Sequence, residues 1–137
     1  AVITGSLIFA LGFGFVIGSR ALGGSDEYTI IRTFGNVFLS LFFRIISGIK
    51  IFDTLNGYKI FKREVFFNHK YRSKNFEIEI ELIFNALREG IKITEFPSHE
   101  RERAGGKMNS SAIKHGPMIF ILILKEGLKY RIGKIFK

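Results

Sequence analysis

The sequence has no cysteine, no tryptophan, two prolines and two aspartates (Asp26 and Asp53) in 137 residues. Without cysteine there can be no disulfide and no thiolate metal site, a composition compatible with a reducing cytoplasm. The three histidines, at 69, 99 and 115, do not have the spacing of a zinc site. There is no P-loop, no dinucleotide-binding fingerprint and no Ser/His/Asp order. Nucleotide hydrolases, dehydrogenases and serine-type hydrolases are therefore set aside. Residues 1–19 carry no charge. That length could span a bilayer, but Gly5, Gly12, Gly14 and Gly18 interrupt it. No basic stretch precedes the apolar run, so it does not read as a secretory signal. Phe15-Val16-Ile17 reads better as a buried parallel strand that ends in Gly-Ser.

What is present is basic and rich in phenylalanine. The apolar content is 47%, the formal charge is +9, and there are 16 Phe. A chain of this length supports one core, and its apolar content excludes simple disorder. The positive excess favours anionic partners. Joined to a mean hydropathy of +0.20, it suits a membrane surface better than a nucleic-acid groove, where basic residues sit on a more polar scaffold.

Along the chain, Arg20–Tyr28 is a polar, Gly-rich loop. Ile30, Phe34, Val37, Phe38, Leu41, Phe42 and Ile45 repeat at helical spacing, which predicts a helix over 29–46. Its apolar face is wider than a small core needs. Residues 53–57 read as a turn, 58–61 as a short strand and 63–69 as a helical turn. Phe76, Ile78, Ile80 and Leu82 alternate with three glutamates in strand fashion, and the spacing turns helical from Glu79 or Glu81 to Arg88. Gly90 suits a helix C-terminus. Residues 91–96 form a strand stopped by Pro97, and 98–111 a charged loop. A last helix is expected from Pro117, a residue permitted at a helix start, to Phe136. Strands alternating with helices suggest an α/β fold built on part of a mixed sheet.

Several residues could carry chemistry, each with a plainer alternative. Arg20 follows a predicted strand, where α/β sheets bind ligands, and its fork suits a phosphate or carboxylate; the alternative is a surface loop arginine. Arg32 and Asn36 lie one helical turn apart on one face and could hold a phosphate oxygen, or simply be solvated. Asp53 could act beside a reacting centre or as a base for a hydroxyl, or cap its own turn. Gly57 permits close backbone approach, and Lys59 could neutralise phosphate or be exposed. Glu79 and Glu81 open a helix, where the dipole favours acids whatever their role; only one of them is expected to face chemistry. Arg101, Arg103 and Lys107 sit on a Gly-containing loop that could close over a pyrophosphate, or be merely a basic loop.

Taken in order, these segments resemble the second half of a family 2 glycosyltransferase, of the type that loads sugar onto a dolichyl or polyprenyl phosphate. Asp53-Thr54-Leu55-Asn56-Gly57-Tyr58-Lys59 is similar to that family's Asp-Thr-x-x-Gly-Tyr/Phe-Lys/Arg signature. Phe15-Val16-Ile17-Gly18-Ser19-Arg20 resembles its strand and phosphate-facing Arg, with Gly14 where the family usually has Asp. Arg32 and Asn36 match the helix positions that receive the acceptor phosphate. Residues 76–82 resemble the Glu-x-Glu-Leu segment, and Glu95-Phe96-Pro97 follows as expected. Arg103-Ala104-Gly105-Gly106 resembles the Arg-x-x-Gly loop on the donor pyrophosphate, with Met108-Asn109 replacing the usual Ser-Lys. The resemblance runs from about Phe15 to the end.

The resemblance implies part of a GT-A-type mixed sheet with flanking helices. Residues 1–13 stand outside it, 14–115 form the C-terminal part of a transferase domain, and 116–137 a basic amphipathic helix. It implies sugar transfer from a UDP- or GDP-sugar to a polyprenyl or dolichyl phosphate, or a related hydroxyl acceptor. Catalytic residues would be Asp53, Glu79 and Glu81, with Arg20, Arg32 and Asn36 on the acceptor phosphate, and Arg103 and Lys107 on the donor pyrophosphate. A divalent metal, Mg or Mn, is expected for the complete enzyme. Its Asp-x-Asp ligands and the nucleotide-gripping strands are not in this sequence, which implies a truncated or split form, completed by a donor-binding chain in the split case. The expected location is the cytoplasmic face of a membrane, peripheral or anchored, with no nucleic-acid partner. The alternative is a non-catalytic membrane-surface module derived from the same fold.

Overall fold

The computed structural model describes residues 2–27, 29–102, 104–105 and 112–136. The elements run α1 (Val2–Ala10), β1 (Phe15–Ser19), α2 (Arg20–Gly23), α3 (Ile30–Ser47), β2 (Lys59–Phe61), α4 (Arg63–Phe67), α5 (Ile78–Arg88), β3 (Ile93–Pro97) and α6 (Ala112–Ile135). The sheet has three strands in the order β2-β1-β3. β1 pairs parallel with β3, Val16 opposite Thr94, and antiparallel with β2, Val16 opposite Ile60. This is a mixed α/β fold with flanking helices, consistent with the partial GT-A-like sheet that was expected. The uncharged N-terminal stretch is a nine-residue helix followed by a strand, so it is not one spanning helix.

β1 is buried along its whole length because helices cover both faces of the sheet. Gly18 lies where β1 meets the loops: a Cβ there would stand 2.9 Å from Ser98 and 3.0 Å from the Tyr58 ring. α3 begins where the Thr29 hydroxyl accepts from the Arg32 N–H at 3.3 Å. It ends at Gly48, whose φ of +77° is the left-handed conformation that favours glycine.

The inward face of α3 departs from the expected pattern. Asn36, Leu39, Ser40, Phe43 and Ser47 are buried. Ile30, Phe34, Val37, Leu41 and Ile45 of the apolar stripe point outward, with Ile30 76% and Phe34 72% exposed. The polar side chains turn inward because their partners are there, as described below. Among the described residues α3 is the helix long and apolar enough to cross a membrane, with a mean hydropathy of 1.4 and most of its residues not buried. α6 lies against it through Phe42 and Phe120, stacked at 4.3 Å. Arg131 completes the join by donating to the Ile46 and Ile45 carbonyls at 2.6 and 2.8 Å, a cation capping a helix C-terminus.

Two further expectations are corrected. The alternation over 76–82 is not a strand, because the helix begins at Ile78. Ile80, Ile83 and Phe84 are fully buried, an i, i+3, i+4 set that lets the helical period win. The last helix starts before Pro117, which lies inside α6. One turn from the helix start, proline forfeits a single backbone bond, to the carbonyl of residue 113.

Candidate functional site

The site is built around a buried carboxylate. Asp53 has no exposed surface. Its Oδ2 accepts from the Arg20 backbone N–H at 2.9 Å and from Arg20 Nε at 2.8 Å. Its Oδ1 accepts from Arg20 Nη2 at 2.8 Å and Asn36 Nδ2 at 3.1 Å. Four donors on two oxygens, including a bidentate guanidinium fork, leave this carboxylate no direction open for a substrate proton. The arrangement makes Asp53 a positioning residue, and the proton-accepting role expected for it does not fit.

The turn that carries Asp53 is pinned at every polar group. The Phe52 and Asp53 N–H groups both donate to the Glu95 carboxylate at 2.8 Å. Burial pushes the Glu95 carboxyl above its usual range, and those two N–H donors pull it back in part. The Ser40 hydroxyl meets Thr54 Oγ1 at 3.2 Å and accepts from the Thr54 N–H at 3.3 Å. Asn56 Nδ2 donates to the Gly18 carbonyl. Lys59 reaches back to the carbonyls of Thr54 and Asn56 and pairs with Glu79. Burial pushes the Lys59 amine below its ordinary value, against the opposing pull of Glu79. Lys59→Met is expected to cost about 2 kcal/mol in chemical denaturation, because two carbonyls of the turn and Glu79 lose their donor.

Arg20, Arg32, Asn36 and Glu79 line one cleft of about 680 Å³. Arg20 Nη1 extends to Glu100 at 3.3 Å, which also accepts from Ser25 at 2.8 Å. Arg32 Nη1 donates to the Glu27 carbonyl at 3.0 Å. The rest of the wall is mostly apolar, with Phe38, Leu55, Phe76, Ile119 and Phe120 prominent, and His115 edge-on to Phe76 at 5.4 Å. The cleft thus has a polar part, where the Arg20 and Arg32 guanidiniums are balanced by Asp53, Glu100 and Glu27, and an apolar body, a lining able to take a ligand with a polar head and a hydrocarbon part.

Glu81 does not join this group. It accepts from the Arg72 and Ser73 N–H groups and the Ser73 hydroxyl, holding the loop before α5 and bordering a separate small polar cavity. Arg103 and Lys107 lie outside the described residues. Among the described residues no three His, Cys, Asp or Glu stand together as metal ligands, and Asp53 is committed to Arg20, so this donor set does not fit a divalent metal. Sequence reasoning missed Ser40, Glu95 as a site support, Glu100 and His115. Of these only Glu95 lay in a recognisable segment, Glu-Phe-Pro.

A second contact ties the cleft rim together. His99 Nδ1 stands 3.0 Å from the Gly23 carbonyl and Nε2 3.0 Å from Asp26 Oδ1. Both neighbours are acceptors, so the imidazolium fits best. The Gly23 carbonyl and then Asp26 raise the His99 pKa above its usual 6.5. This contribution is therefore fully present below the unfolded value and is lost as pH rises through the raised native one. Thermal stability should fall slightly as pH rises above about 6.5, and His99→Gln should flatten that dependence.

The chain is similar to Glycosyltransferase AglJ of Haloferax volcanii. The two are 33% identical over 117 residues, which cover 84% of this chain and 39% of AglJ. The chain thus spans about two-fifths of the relative's length. No family model matches it, and no solved structure does. The aligned stretch supports kinship with a glycosyltransferase sequence.

Proposed function

We propose that this chain is the acceptor-side part of a family 2-like glycosyltransferase, which transfers a sugar from a UDP- or GDP-sugar to a polyprenyl or dolichyl phosphate at the cytoplasmic face of a membrane. The observation that carries the reading is the cleft, in which Arg20, Arg32 and Asn36 stand at one end of an apolar-walled channel. A phosphate monoester is already anionic at neutral pH, so its oxygen needs placement and charge compensation more than a base. Arg32, and the Nη1 group of Arg20 that Glu100 now meets, would supply charge, Asn36 an amide, and Asp53 holds Arg20 in register. Glu79, fixed by Lys59, lines the same cleft, as does Glu100. Arg103 and Lys107 would meet the pyrophosphate of the donor. A divalent metal would belong to the donor-binding half, on a separate segment or chain. The outward apolar faces of α3 and α6 would rest in the membrane surface, with basic residues such as Lys125 and Lys134 toward head groups.

Co-expression with the donor-binding half of a related transferase tests this. Sugar should pass from UDP- or GDP-sugar to a polyprenyl phosphate. Retention on anionic liposomes with no transfer would favour the alternative, a non-catalytic membrane-surface module, for which the exposed apolar faces speak equally well.

A further inference from the structure

One carboxylate oxygen in the cleft is held as the oxygen of a bound anion would be. Glu100 Oε2 accepts from Arg20 Nη1 at 3.3 Å and from the Ser25 hydroxyl at 2.8 Å. The Ser25 oxygen itself accepts from the Glu27 N–H at 3.2 Å, which leaves its proton to point at Glu100. A guanidinium and a hydroxyl converging on one anionic oxygen are donors that suit phosphate equally well. Arg20 and Glu100 line the cleft, whereas Ser25 does not.

The two guanidiniums of the cleft already face carboxylates: Arg20 faces Asp53 and Glu100, and Arg32 approaches Glu27. An incoming anion would meet like charge unless one carboxylate withdraws. Asp53 has no exposed surface and is bound by four donors. The Glu27 side chain is 10% exposed and that of Glu100 is 28% exposed, so Glu100 is the one with room to turn into water. Its backbone stays in place, because the Glu100 N–H donates to the Gly24 carbonyl at 3.1 Å and the Asp26 N–H donates to the Glu100 carbonyl at 2.9 Å. Withdrawal is thus a side-chain rotation between rotamers.

Resting on the acceptor-phosphate reading above, we propose that Glu100 is a carboxylate gate: it occupies the seat of a phosphate oxygen between Arg20 and Ser25, and turns outward when the phosphate binds. Ser25 then becomes a donor to the phosphate. Because the gate opens first, the observed affinity is the intrinsic one reduced by the fraction of the protein in which Glu100 is turned away.

The test is equilibrium binding of farnesyl phosphate and of uncharged farnesol to the full chain in nanodiscs. Glu100→Gln keeps the shape and removes the charge, and Glu100→Ala removes the occupant. Both should bind farnesyl phosphate about 10-fold more tightly and farnesol as the unaltered chain does. Ser25→Ala made in the Glu100→Ala chain should weaken farnesyl phosphate about 10-fold, the loss of a hydrogen bond to a charged group. A Glu100 that merely braced the segment 98–100 would give weaker binding of both lipids when altered. With the phosphate preferred over farnesol, three results would each overturn the gate: equal or weaker binding of farnesyl phosphate by both Glu100 variants, an equal gain for farnesol, or no effect of Ser25→Ala in the Glu100→Ala chain. Farnesyl phosphate bound no better than farnesol by the unaltered chain and by every variant would instead remove the phosphate reading on which the gate rests.

Discussion

Asp53→Asn is expected to destabilise the protein by about 3–5 kcal/mol, the usual cost of removing one partner from a buried ion pair. The Arg20 side chain is 10% exposed and Asp53 has no exposure, so water cannot take over the lost charge. The substitution also places an NH2 group where two donors already converge on either oxygen, so two of the four present hydrogen bonds become a donor facing a donor. Against a typical stability of about 5–15 kcal/mol this is a large fraction. Denaturant titration measures it. Arg20→Met should cost a similar amount, and the double variant little more than either single one, because both remove the same interaction. Additive losses would mean that the two residues act independently.

Arg32→Ala should behave in the opposite way, with a smaller effect on folding and a large one on binding. Its guanidinium contacts include the Glu27 carbonyl and a 3.8 Å approach to the Glu27 carboxylate, with the two side chains 18% and 10% exposed. With one charge-assisted hydrogen bond and a long ion pair lost, stability should change by about 1–2 kcal/mol, less than for Asp53→Asn. A phosphate held at the partly buried end of the cleft would lose a charge-assisted donor, at about 2–3 kcal/mol, or about 30–150-fold in affinity. Polyprenyl phosphate and the uncharged polyprenol, measured side by side, separate the two contributions: only the phosphate should discriminate between Arg32→Ala and the unaltered chain. Equal weakening for both lipids would place the arginine's effect on the chain and not on the head group.

Much of this was legible in the sequence because local chemistry and tertiary structure agree there. β1 is an apolar run with turn residues after it. The span of α3 is marked by its period, by Thr29 and by Gly48. The turn at 53–57 is written in Asp, Asn and Gly. The remainder depends on partners distant along the chain. Asn36 and Ser40 face inward because Asp53 and Thr54, 14 to 17 residues later, receive them. An apolar-count reading has no means of choosing a polar stripe as the buried one. The strand-like alternation around Glu77, Glu79 and Glu81 was outweighed by the burial of Ile80, Ile83 and Phe84 in the core. Glu95 could be read as part of a segment, but not as the acceptor for two N–H groups more than 40 residues away. The role of Asp53 was similarly underdetermined. Its residue type suits a base, and only the geometry of Arg20 and Asn36 shows both of its oxygens committed.

The account stands on the head of a lipid phosphate lying beside Arg20, Arg32 and Asn36, with its chain running between α3 and α6. Photo-crosslinking with a polyprenyl phosphate that carries a diazirine on the first isoprene unit tests this most directly. Adducts are expected on cleft residues such as Phe38, Leu39, Phe120 and Ile119, and Arg32→Ala should abolish them. Adducts confined to the outward face of α3, at Ile30, Phe34 and Leu41, and unaffected by Arg32→Ala, would contradict it.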